Sequence, residues 1–178
     1  MEVILVRHGL TENNKKGITN GRIDEPLADE GIEQAQELAR RLKDKPIDVI
    51  YSSPLKRATF TALPIAEKIG RTINIDHRLI EVDFGDFEGK PNSEVEKILG
   101  DEMRELFNKY EYDLTPYGGE SSAQVEKRVR SFYESLIKQP HETILIVTHG
   151  GILRWLHYFI TGKKIGPRPN SEELHLKT

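Results

Sequence analysis

Ile4-Leu5-Val6-Arg7-His8-Gly9 and Ile144-Leu145-Ile146-Val147-Thr148-His149-Gly150-Gly151 are built to one plan. Each is a short aliphatic run that stops at a polar residue followed by His-Gly. A continuous Val, Ile and Leu run reads as a strand buried on both faces, as in a parallel sheet. The polar residues then fall at the strand's carboxyl end, the edge where open α/β sheets bind ligands. Two such strands side by side bring His8 and His149 to one crevice.

Working outward, strands and helices alternate. Residues 2–6, 47–51, 72–75 and 143–147 read as strands. Residues 32–43 are amphipathic, with Ile32, Ala35, Leu38, Ala39 and Leu42 on one face. Ser53 as N-cap and Pro54 at the first helical position start a helix that runs to Ile69 and stops at Gly70. Pro64 is expected to kink it near Leu63. Residues 92–110 read as helix in two pieces around Gly100. Ser121 with Gln124 forms a capping-box signature for a helix to Lys138. Residues 152–161 form an apolar helix closed by Gly162, and residues 172–177 an edge strand. The long polar segment 9–31, with one helical turn at most, is assigned a functional loop. The alternation argues for one α/β domain over 1–178 with a mainly parallel sheet.

Composition narrows the partners. The chain has 178 residues, 37% hydrophobic and 31% charged, with net charge −3. That balance gives no case for nucleic acid or an anionic membrane as partner. The absence of cysteine excludes disulfides and thiol catalysis. No apolar run approaches membrane-spanning length and no leader pattern opens the chain, so a cytoplasmic protein is expected. The C-terminal edge strand offers a pairing edge for a homodimer. No His, Asp and Glu grouping has metal-ligand spacing, so no metal is expected.

The residue types at the two strand ends suit phosphate chemistry. Phosphoryl transfer spreads charge over three oxygens and needs several fixed donors. Arg7 beside His8, and Arg57 in the first turn of a helix, supply bidentate donors. A neutral imidazole is a competent nucleophile towards phosphorus, and a second histidine, if protonated, can stabilise the transferring charge. A carboxylic acid must protonate the leaving oxygen. Glu81, Asp83, Asp86 and Glu88 are all candidates, and the residues alone do not choose among them. His77, His141, His157 and His175 match no pattern, and Trp155, Leu156 and Phe159 read as core.

These motifs together resemble the histidine phosphatase superfamily, with its phosphoglycerate mutase-like fold. Arg7-His8-Gly9 with Thr11 and Asn14, then Ser52-Ser53-Pro54-Leu55-Lys56-Arg57-Ala58, follow the family order. Leu79 through Gly89, Gly118-Gly119-Glu120-Ser121 and Thr148-His149-Gly150-Gly151 complete it. The resemblance implies a three-layer α/β/α sandwich without metal or organic cofactor. It implies that His8 is the nucleophile and forms a phosphohistidine. Arg7, Arg57 and His149 then hold the phosphoryl group, with Asn14 as a further donor. Glu81 becomes the general acid and base, and Asn20 and Gly21 lie near the phosphate and substrate entrance.

Several positions depart from the family pattern. Leu10 stands where many members carry an acid, and Asn20 where many phosphatases carry Gln. Segment 89–117 is short, with only Lys90, Lys97, Arg104 and Lys109 as cations, and the C-terminus is short too. Mutases of this family carry a longer, more basic insertion. The expectation is therefore a phosphatase acting on a small-molecule phosphate ester. Candidates are sugar phosphates, phosphoglycerates, phosphoserine and α-ribazole phosphate. A phosphoglycerate mutase is the alternative, and a catalytically silent phospho-ligand-binding module the least favoured reading.

Overall fold

The computed structural model describes residues 1–166 and 173–177. Its centre is a five-stranded sheet in the order β3-β2-β4-β1-β5. The strands are β1 (Glu2–Arg7), β2 (Val49–Ser52), β3 (Ile73–Ile75), β4 (Thr143–Thr148) and β5 (Glu173–Lys177). The first four are mutually parallel, and β5 pairs antiparallel with β1 at the edge. Residue 172, assigned to the same tail by the sequence, lies outside the described residues.

The two His-Gly strands are neighbours. β1 pairs with β4 in a register that sets Arg7 opposite Thr148. Val3 to Val6 and Ile144 to Val147 are wholly buried. Each contributes about 1.5–3 kcal/mol by burial, so this pair of strands is the rigid centre of the sheet.

Alternation along these strands divides the core in two. Ile4, Val6, Leu145 and Val147 face helices α2 (Asp29–Leu42) and α3 (Lys56–Ile69). Val3, Leu5, Ile144 and Ile146 face α4 (Asn92–Lys109), α5 (Ser122–Leu136) and α6 (Gly150–Thr161). Helices on both faces give the expected three-layer α/β/α arrangement with a mainly parallel sheet.

Several local expectations hold. Ser121 and Gln124 form the reciprocal capping box at the start of α5. α4 breaks at Gly100, where φ is 70° and ψ 179°. Gly70 and Gly162 end their helices in the left-handed conformation. Segment 9–31 is a loop with one short helix, α1 (Glu12–Lys16), as expected, capped reciprocally by Thr11 and Asn14.

Others are corrected. α2 starts at Asp29, three residues earlier than periodicity suggests, with Asp29 and Glu30 favourably placed in its first turn. Ile32 is 49% exposed, and the buried face runs through Gly31, Ala35, Leu38, Ala39 and Leu42 instead. Ser53 is not the N-cap of α3, which starts at Lys56 behind Leu55; its hydroxyl accepts from Leu55 N at 3.4 Å and also meets His149 Nε2. α3 continues through Pro64 without a break. Phe60 and Leu63 beside that proline are exposed, so the missing hydrogen bond falls towards water. α6 begins at Gly150, so both glycines of the second His-Gly motif lie inside the helix.

Candidate active site

β1 delivers His8 to the sheet edge, where its backbone N–H donates to Thr148 O at 2.9 Å. Its Nδ1 lies 2.7 Å from the carbonyl of Gly9. A carbonyl only accepts, so Nδ1 carries the proton and Nε2 keeps its lone pair. Burial, and next the cations of Arg57 and Arg7, hold the His8 pKa well below its ordinary value. His8 is therefore a neutral imidazole with one orientation and one nucleophilic nitrogen. Gly9 follows because a Cβ there would meet Gly31 O, at the start of α2, at 2.7 Å.

His149 sits at the end of β4, its ring centroid 5.1 Å from that of His8. Its Nδ1 accepts from Arg57 Nε at 3.3 Å, and its Nε2 lies 2.6 Å from Ser53 Oγ. Accepting at Nδ1 makes Nε2 the protonated nitrogen, so Ser53 Oγ is the acceptor. Burial first, then Arg57, keeps His149 neutral as well. It is wholly buried and does not line the cavity described below. It reaches the site through Arg57.

Arg57 is 1% exposed although it lies in the first turn of a helix. Its Nη1 donates to Ile23 O and its Nη2 to Gly21 O, both at 2.6 Å. With the bond to His149, three of its five N–H donors are engaged within the protein. Two remain to grip an anion. Arg7 packs its guanidinium against the N-terminus of α6, with Cζ 3.6 Å from where a Cβ on Gly150 would stand.

The acidic segment separates into distinct roles. Glu81 lines the same cavity as Arg7, His8 and Arg57. Its Oε1 accepts from Val82 N at 2.9 Å and its Oε2 from Gly151 N at 3.3 Å. A side chain on Gly151 would strike Glu81 Oε1 at 2.6 Å, which accounts for the second glycine of Gly150-Gly151. Glu88 is excluded from the cavity wall, and its Oε1 accepts from Arg22 N and Phe84 N. Of Glu81, Asp83, Asp86 and Glu88, Glu81 alone lines the cavity.

Asn14, Asn20 and Gly21 all line the cavity. Asn14 Oδ1 accepts from Thr11 N, which fixes the orientation of its amide. Asn20, expected near the substrate entrance, lines the cavity with its amide engaged. Its Nδ2 donates to Glu25 Oε1 at 2.6 Å and Thr11 Oγ1 at 3.2 Å, while its Oδ1 accepts from Asn13 Nδ2 at 2.7 Å. With both amide hydrogens engaged, Asn20 organises the loop around the phosphate site. Gly21 contributes its carbonyl to Arg57, at a φ of +49°.

The cavity has a volume of about 640 Å³. Its far wall was missed by motif reading. Ile18, Phe84, Val95, Leu99 and Phe107 make it apolar, and Asn92, Glu96, Arg104 and Asn108 edge it. Asn92, Glu96, Gly100, Arg104 and Asn108 recur every fourth residue of α4, a spacing that could have revealed the stripe. Arg154 also lines the cavity, but it donates to Ile165 O and Phe107 O. Trp155 borders a smaller adjoining cavity with Tyr110 and Tyr112. Among the described residues no group of three His, Cys, Asp or Glu side chains is placed to hold a metal ion, and no helix is long and apolar enough to cross a membrane.

The family model of the histidine phosphatase superfamily (branch 1) matches residues 3–171. The chain belongs to that superfamily. This histidine phosphatase is 42% identical over 159 residues to a protein of Hydrogenobacter thermophilus named putative phosphoserine phosphatase 2, covering 89% of this chain and 77% of that one. It is 35% identical over 162 residues to a 2,3-bisphosphoglycerate-dependent phosphoglycerate mutase of Parvibaculum lavamentivorans, covering 86% and 77%. In fold it resembles a mycobacterial glucosyl-3-phosphoglycerate phosphatase in complex with VO3. The TM-score is 0.85 at 27% identity, covering 99% of this chain and 92% of that one.

Proposed function

We propose that this histidine phosphatase hydrolyses a small-molecule phosphate monoester through a phosphohistidine on His8, without a metal or other cofactor. The observation that carries this reading is the state of His8: a neutral ring whose Nδ1–H is tied to Gly9 O, leaving Nε2 as nucleophile beside Arg7 and Arg57. Nε2 attacks phosphorus as the bond from phosphorus to the ester oxygen breaks. Glu81 gives a proton to that oxygen and the alcohol departs. Arg57, with its two remaining donors, and Arg7 hold the charge that spreads over the phosphoryl oxygens, with the donor end of Asn14 beside them. His149 acts through Arg57. In the second half, Glu81 takes a proton from water, the water oxygen bonds phosphorus, and the electron pair of the broken P–N bond returns to Nε2. Inorganic phosphate leaves.

Hydrolysis is favoured over mutase chemistry by the far wall. A mutase must hold a bisphosphate and its carboxylate away from His8. Beyond Arg7 and Arg57 the cavity is lined by two further cations, Arg104 and Arg154, and Arg154 is bonded to backbone carbonyls. The mutase-named relative makes isomerisation the alternative to score. Phosphate esters of the phosphoserine or phosphoglycerate class, named for relatives of this chain, are the first substrates to try.

A metal-free panel of phosphate esters, assayed with excess chelator, tests the reading. Phosphate release should exceed isomerisation of 3-phosphoglycerate, and chelator should leave activity intact. His8→Ala should abolish both turnover and an acid-labile phosphoenzyme. Retained turnover in His8→Ala would sink the mechanism, and isomerisation without release would assign the chain to the mutases.

A further inference from the structure

Gly21-Arg22-Ile23 touches two parts of the site at once. The carbonyls of Gly21 and Ile23 hold the guanidinium of Arg57. Arg22, between them, turns to the acidic segment. Its backbone N–H donates to Glu88 Oε1 at 2.8 Å. Its Nε donates to the backbone carbonyl of Glu81 at 3.4 Å. Its Nη1 pairs with Asp83 Oδ2 at 3.2 Å and its Nη2 with Glu120 Oε1 at 3.1 Å. Glu120 in turn accepts from Arg128, whose Nη2 donates to the same Glu81 carbonyl at 3.2 Å. Burial alone would push the Glu120 carboxyl up, but Arg128, Asp83 N–H and Arg22 bring it below the usual range.

We propose that Arg22 is a positioning residue for the general acid, fixing Glu81 at the distance from the phosphoryl clamp that proton transfer to the leaving oxygen requires. The inference rests on the assignment of Glu81 as that acid. Residues 80–84 lie outside any helix or strand, so no backbone ladder sets where Glu81 stands. Its carboxylate is held by Val82 N and Gly151 N, and its backbone is held by side-chain bonds to its carbonyl from Arg22 and Arg128. Arg128 belongs to α5 and fastens the segment to the scaffold. Arg22 fastens it to the peptide units that grip Arg57. The one tripeptide therefore links the cation on the phosphoryl group directly to the segment that carries the acid on the leaving group. General acid catalysis depends steeply on the spacing between the two. A merely structural role would look different. Arg22 is partly exposed, and ion pairs of that kind contribute little to stability.

The dependence on leaving group reads the proposal. Arg22→Met, Arg22→Lys, Glu81→Gln and the double variant Arg22→Met/Glu81→Gln are assayed as full chains. The substrates are p-nitrophenyl, phenyl and alkyl phosphates, whose leaving groups need protonation in increasing degree. The loss of kcat/KM in Arg22→Met should be about tenfold or more greater on the alkyl ester than on the p-nitrophenyl ester. Arg22→Lys, which keeps the charge without the fork, should recover part of that difference. The double variant should be no steeper across the series than Glu81→Gln alone. A flat loss in Arg22→Met beside a steep one in Glu81→Gln overturns this proposal alone. A flat series for Glu81→Gln overturns the acid assignment, and this proposal with it.

Discussion

Replacing Arg57 by Lys keeps the charge and removes the fork, so it measures what the fork does. Arg57 donates to Gly21 O, Ile23 O and His149 Nδ1. A lysine ammonium is one point at the end of a flexible chain and cannot meet three acceptors that a planar guanidinium meets together. The Gly21 carbonyl loses its partner in a buried site, while the Ile23 carbonyl is partly reached by water. At about 1–3 kcal/mol for each stranded group, with the Ile23 end low in that range, stability should fall by about 2–4 kcal/mol. For a chain of this size that corresponds to a drop in Tm of about 5–15 °C. Activity should fall further. The two donors left for a phosphoryl group are charge-assisted contacts worth about 1.5–3 kcal/mol each, partly replaced by the ammonium, so kcat/KM should drop by about 100-fold or more. Thermal unfolding with and without vanadate, beside kcat/KM on p-nitrophenyl phosphate, checks both numbers. Wild type should be stabilised by the oxyanion and Arg57→Lys much less so. An Arg57→Lys protein with unchanged Tm and kcat/KM within about threefold of wild type would refute the double role.

Two further perturbations probe the same architecture. His8 and His149 are neutral in the folded protein, with pKa values well below the ordinary one, whereas in the unfolded chain they protonate below about pH 6.5. The unfolded state then binds more protons, so their contribution to stability is full above that pH. It should be lost as pH falls, with a slope approaching about 2.7 kcal/mol per pH unit for the pair until the folded-state values are passed. Urea unfolding at successive pH values between neutrality and mild acid measures the slope, and His8→Gln should halve it; an unchanged slope would deny His8 its part. Gly21→Ala places a Cβ 2.1 Å from Glu88 Oε1 at a φ of +49°. The strain costs about 1–2 kcal/mol and displaces Glu88 from Arg22 N and Phe84 N, for a total loss of about 3–5 kcal/mol. A Tm within a degree or two of wild type would contradict that packing.

The parts of the site that the sequence made legible are those carried by single continuous elements. The aliphatic runs before His8 and His149 could only be buried strands, and their pairing follows from the same pattern. The first turn of α3 carries Arg57 as its spacing demanded. Legibility stopped where a local signal met a tertiary competitor. Ser53-Pro54 has every local mark of a helix start, yet the helix begins at Lys56, and the Ser53 hydroxyl is shared between Leu55 N and a histidine 96 residues away. Asn20 has the right type to hold a phosphate, but Glu25 and Thr11 take its donors. Ile32 fits the apolar period of α2, but Gly31 must face inward, because a Cβ there would meet Leu10 O at 2.1 Å.

The same competition explains why Arg57 is both the most legible and the least separable residue of the site. An arginine buried to 1% exposure is stable only if its charge and its donors are answered. Here burial lowers its pKa, and Glu81, Glu25, Asp24 and Glu88 pull it back. Two backbone carbonyls and a neutral histidine take three of its hydrogens. That leaves a fixed cation with two outward donors, which is what a transition state with spread negative charge needs, with no reorganisation as the charge develops. The entrance loop is therefore ordered by Arg57, and Arg57 by the loop. A substitution at Arg57 also loosens residues 21–23, and through Arg22 the placement of Glu81.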